Sequence, residues 1–126
     1  MPNTTLWPLF LPTLDSGGAP SQQQVGYIMY DTTRGSFSVQ MLLDTNPHAQ
    51  TLPGATVYLL YLRNVDPKAN ITVTWTPTGG ASVVTHVLAP NAVILVSDNP
   101  GGAGGITALS LQSDTANASY EIGLSI

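Results

Sequence analysis

Asn70-Ile-Thr-Val-Thr-Trp-Thr76 (NITVTWT) alternates without a break. Ile71, Val73 and Trp75 fall on one side of an extended chain and Thr72, Thr74 and Thr76 on the other, because successive side chains of a strand point to opposite faces. Threonine is β-branched and suits an exposed strand face. The stretch therefore predicts a half-buried strand, with Trp75 on its core side, and Pro77-Thr-Gly-Gly80 ends it.

The same period extends in both directions. Val83–Leu88 and Ala92–Val96 are short strands divided by Ala89-Pro-Asn91, a turn whose proline cannot donate to a ladder. Ile106–Gln112 and Ser119–Ile126 follow, the last with Tyr120, Ile122, Leu124 and Ile126 pointing inward. Upstream, Ala55–Leu62 is apolar on both faces, which marks a central strand or one with a covered outer face. Phe37, Val39, Met41 and Leu43 alternate with Ser38, Gln40 and Leu42, and Val25, Tyr27 and Met29 alternate with Gly26, Ile28 and Tyr30. The turn Asp31-Thr-Thr-Arg-Gly35 between these two predicts a hairpin.

This gives about eight short strands and no segment with a sustained helical period, so the expected fold is all-β. Eight antiparallel strands suit a jelly-roll-like sandwich, and an immunoglobulin-like or other Greek-key order stays open. Residues 1–23, with six prolines and glycines at Pro2, Pro8, Pro12, Gly17, Gly18 and Pro20 and then a Gln22-Gln23-Gln24 triplet, read as an extended N-terminal arm before a domain at 24–126. Leu6, Trp7, Leu9, Phe10 and Leu11 would be poorly solvated on a free arm, so it covers either its own sandwich or a neighbouring subunit.

Composition bounds the function. Only 8% of the 126 residues are charged, with three Lys or Arg and a net charge of −4, against about 25% in an ordinary domain. Such a surface repels its neighbours weakly and suits subunit contacts. Three cations cannot neutralise many phosphates, so nucleic acid is not expected as a partner. No apolar run reaches 18 residues, so a transmembrane helix is not expected, and the chain has no cysteine for disulfides or thiolate chemistry. Leu6-Trp-Pro-Leu-Phe-Leu-Pro12 lacks a basic start and is cut by proline, so it does not read as a signal peptide.

Candidate chemistry is sparse. Asp98-Asn-Pro-Gly-Gly-Ala-Gly-Gly105 is glycine-rich, but a phosphate cradle needs a following lysine and a helix, and Ile106-Thr107 opens a strand pattern instead. The loop reads as a connection whose glycines take positive φ, and as a candidate contact loop. His48 and His86 share no metal-ligand spacing, and Asp15, Asp31, Asp44, Asp66, Asp98 and Asp114 fall almost one per turn, where aspartate bonds nearby amides. Glu121 is the single glutamate, and no Gly-x-Ser-x-Gly turn marks a nucleophile. No catalytic residue, metal or cofactor is expected.

The second half, from VYLLYLRNVDPKANITVTWTPTGG (57–80) through VILVSDNPGGAGGITALSLQSDTANASYEIGLSI (93–126), resembles in style the small capsid decoration, or cement, proteins of tailed bacteriophages. That resemblance implies a non-enzymatic β-sandwich on the virion exterior, dimeric or trimeric, bridging major capsid subunits with its arm. Leu6, Trp7, Leu9, Phe10 and Leu11 would then contact a neighbour, and Tyr58, Leu60 and Leu62 would supply part of an oligomer contact. Two other readings stand beside it: a vertex or tail component of the same fold, and a carbohydrate-binding module using exposed aromatics such as Trp75, Tyr58 or Tyr61.

Overall fold

A computed structural model describes residues 4–14, 20–31, 34–79, 82–99, 101 and 104–126. The described residues are all-β, with no helix. Strands β1 (Thr4–Leu14) and β2 (Pro20–Asp31) form a two-stranded antiparallel sheet. The others are β3 (Gly35–Leu42), β4 (His48–Ala49), β5 (Leu59–Asn64), β6 (Ile71–Pro77), β7 (Val84–Leu88), β8 (Val93–Ser97), β9 (Ile106–Ser113) and β10 (Ala118–Ser125). They make two four-stranded antiparallel sheets, ordered β3-β10-β5-β8 and β4-β9-β6-β7.

The order has a simple logic. β6 pairs with β7, β5 with β8, β4 with β9 and β3 with β10, so the pairs nest as in one long antiparallel ribbon folded about the β6–β7 turn. The additional pairings β10–β5 and β9–β6 close the wrapped ribbon into two sheets. Period two then supplies the inner faces. Leu60 and Leu62 of β5 and Ile122 and Leu124 of β10 meet Ile71 and Val73 of β6 and Leu109 and Leu111 of β9 in one core. Trp75, Ala92, Ile94, Val96 and Ile126 pack against its margin.

Three local expectations are revised. Residues 26–31 pair with Thr4–Leu9 of β1 and not with β3, so the hairpin expected across Asp31–Gly35 is replaced by a pairing within residues 4–31. Within the segment read as an extended arm, Thr4–Leu14 form β1, and its partner, Pro20–Asp31, runs past residue 23. β4 is an unexpected strand of two residues, too short for any period to show. Leu60 and Leu62, expected at an oligomer contact, are wholly buried in the chain's own core. A strand apolar on both faces does not say which face turns inward, and here the even-numbered residues do.

Asn64 is fully buried at the end of β5. The Asn64 amide nitrogen donates to the carbonyls of Ala69 (2.7 Å) and Leu88 (3.0 Å), and its oxygen accepts from the Asp66 amide (3.0 Å). It ties the β5–β6 connection to the end of β7. The turns are held by carboxylates. Asp66 accepts from Lys68 and Ala69, Asp98 from Asn99 and Gly104, Asp44 from Asn46, and Asp114 from Asn70. These bonds favour the charged form, and the carboxyls of Asp66 and Asp114 sit below their ordinary value for that reason.

Candidate functional site

The glycine loop is a connection between β8 and β9. Gly101 has φ +86°, in the left-handed region that glycine tolerates, and the Gly104 amide is taken by the Asp98 carboxylate at 2.7 Å. Gly105 is buried where a Cβ would lie 2.7 Å from both Thr56 Cγ2 and Tyr58 Cε1, so the close approach it permits is to its own chain. Among the described residues no group of three or more His, Asp or Glu could hold a metal, and His86 lies exposed on edge strand β7 opposite Val73.

The sequence-derived contact residues fall in different places. Leu6, Trp7, Leu9, Phe10 and Leu11 lie on β1, and their side-chain contacts fall outside the described residues. Leu60 and Leu62 are core, and Tyr58 is half-buried beside the glycine loop. Of the other aromatics considered, Trp75 is partly buried against the core and Tyr61 is wholly buried.

Two features were not foreseen, and both come from the orientation of β3. Binary patterning would turn Phe37, Val39 and Met41 to the core. In the structure Leu42 is the buried residue at the end of β3, Val39 is 65% exposed and Met41 48% exposed, while Ser36, Ser38 and Gln40 share the inward face with Leu42. The register shows why the outward face coheres. Val39, Glu121, Arg63 and Val93 form one row across the first sheet, and Phe37, Gly123, Tyr61 and Leu95 the next. Gly123 has no side chain, so the Phe37 and Tyr61 rings meet over it with centroids 6.1 Å apart. Glu121 accepts from Arg63 at 3.3 Å and from the Tyr61 hydroxyl at 3.2 Å. Burial, and after it the Glu121 charge, push the Tyr61 phenol up to about 12. Apolar Val39, Met41 and Leu95 therefore surround a satisfied polar pair on this face.

The inward face of β3 lines a cleft of about 410 Å³ at the open edge between the sheets. Ser36, Ser38 and Gln40 line it from β3 and Gln50 and Thr51 from beyond β4, Leu42, Ile122 and Leu124 form the buried floor, and Met41 and Leu43 also belong to its lining. Asp44 and His48 stand at the rim with His48 Nε2 2.7 Å from Asp44 Oδ1, a contact that holds the Asp44 carboxyl below its ordinary value. Tyr120, almost wholly buried, brings its hydroxyl to 3.2 Å from both Gln40 Oε1 and Gln50 Oε1.

No protein-family model, curated protein or solved structure matches this chain.

Proposed function

We propose that this chain is a non-enzymatic structural subunit of a virion, a capsid decoration protein that bridges or stabilises major capsid subunits as a homo-oligomer. The observation that supports it best is the outward apolar face of β3. A strand that turns Val39 and Met41 to the surface leaves their apolar area in water in an isolated domain. It gains if a neighbouring subunit covers the face, since each square ångström of apolar area removed from water contributes about 25 cal/mol before association costs.

The rest of the chain agrees with that reading. Two antiparallel sheets in a sandwich-like arrangement suit the reading, since β-sandwiches, jelly rolls among them, serve as viral capsid domains as well as in many other roles. The scarcity of charge lowers the desolvation penalty at repeated contacts. On this proposal the apolar residues of β1, Leu6, Trp7, Leu9, Phe10 and Leu11, add an anchor on a neighbour.

Sedimentation of the full chain tests the contact. The chain is expected to associate as a dimer or trimer, and Val39→Asp combined with Met41→Asp to weaken association by about a hundredfold, since each carboxylate would have to be desolvated. Both positions are exposed, so the double variant should keep its melting temperature within a few degrees. Association unchanged by the two aspartates would overturn this role for the face.

A further inference from the structure

We infer that the cleft between β3 and the β4 segment is a binding site for a small, neutral, hydroxyl-rich ligand of the saccharide class. The inference stands apart from the virion reading and rests on proton bookkeeping in the cleft. The amide nitrogen of Gln40 donates to Ser38 Oγ at 2.9 Å, and that of Gln50 donates to the His48 carbonyl at 3.2 Å. The bond to a backbone carbonyl fixes the Gln50 amide with its oxygen toward Tyr120, and the Gln40 amide, bonded to a hydroxyl that donates as well as accepts, is placed with its oxygen the same way. Three oxygens, the phenolic one and the two carbonyls, then converge around one phenolic proton.

One proton cannot satisfy two carbonyl acceptors that each carry two lone pairs. The cluster has acceptor capacity in surplus, and a ligand that brings O–H donors fits it. The walls extend the match, because Ser36, Ser38 and Thr51 are hydroxyls that donate as well as accept. The floor of Leu42, Ile122 and Leu124 suits the C–H face of a sugar ring. A volume of about 410 Å³ lies within the ~300–1,000 Å³ of small-molecule sites.

The charge pattern selects against ionic ligands. Among the described residues lining the cleft there is no Lys or Arg to receive an anion, and the carboxylate, Asp44, is engaged by His48. The site differs in place from the aromatic platform considered from the sequence, and it accounts for why β3 turns serines and a glutamine inward.

The test is a titration of the isotope-labelled full chain, followed by amide NMR, with methyl α-glucoside, methyl β-galactoside, methyl α-mannoside and N-acetylglucosamine, beside glucose 6-phosphate and glucosamine. At least one neutral sugar is expected to shift the side-chain amides of Gln40 and Gln50 saturably, with a dissociation constant of order 1 mM. The charged sugars should bind several-fold more weakly. Gln50→Ala, which keeps the backbone bond from residue 50 to the Leu109 carbonyl, should weaken the neutral sugar by about tenfold, and Ser38→Ala by a similar factor. No shift at Gln40 and Gln50 up to about 100 mM of any neutral sugar would overturn the inference. So would equal binding of a charged sugar, or affinity unchanged in both variants.

Discussion

Leu62→Ala is expected to lower the melting temperature by roughly 10–20 °C, the equivalent of about 2–5 kcal/mol for a large-to-small change in a close-packed core. Leu62 is wholly buried, its strand is flanked by β10 and β8, and it faces the Ile71, Val73 and Leu111 cluster of the opposite sheet. The second sheet cannot collapse easily onto the void, because its strands are pinned by their own ladders. Leu43→Ala is the matched control. Leu43 is 69% exposed, and its truncation should change stability by no more than about 0.5 kcal/mol. Thermal unfolding of the two variants separates the cases, and similar losses at both positions would contradict the placement of the core.

Asn64→Asp should be as damaging although it changes one atom type and almost no volume. The amide nitrogen that donates to the Ala69 and Leu88 carbonyls becomes an oxygen facing two oxygens, in a place without solvent. The expected loss near neutral pH is roughly 3–5 kcal/mol, from two unsatisfied carbonyls and a buried charge. The sign of the pH dependence is diagnostic. Burial raises the folded-state pKa of the introduced acid above its unfolded value, so the folded form binds the extra proton and the variant's deficit shrinks as pH falls. The parent chain moves oppositely. Asp66 and Asp114 have lowered values when folded, so the stability they contribute is present above about pH 4 and is lost as pH falls through their folded values. Comparing denaturation of variant and parent at each pH isolates the effect, and a deficit that does not shrink toward acid would contradict the geometry given to Asn64.

The strands were legible where one face is apolar and the other is not. NITVTWT and the Tyr120-Ile122-Leu124 strand place their core residues correctly from alternation alone, since a one-residue slip would bury threonine, serine and glutamate. Alternation identifies a strand but says nothing about its partner. That is why β2 was matched to β3, its neighbour in sequence, when it pairs with β1. The nested pairing of β3 with β10 is the most non-local feature of the fold, and no local signal carries it. For the candidate site the pattern was inverted. Binary patterning would bury Val39 and Met41 and expose Ser38 and Gln40, because it assumes that the inside is dry. Here the open edge between the sheets holds a polar cleft, and apolar residues that would be buried by rule face outward. The cluster of Gln40, Gln50 and Tyr120 was out of reach for another reason: its members are 10 to 80 residues apart and meet only once the ribbon is wrapped.

The central claim, a repeated structural subunit on a particle surface, is tested most directly by quantitative mass spectrometry of purified virus particles encoded with this chain. The account predicts that the chain co-purifies with the particles at a fixed, high ratio to the major capsid subunit, with a copy number set by the symmetry of the shell. A chain recovered in the infected cells but not in the particles would contradict it.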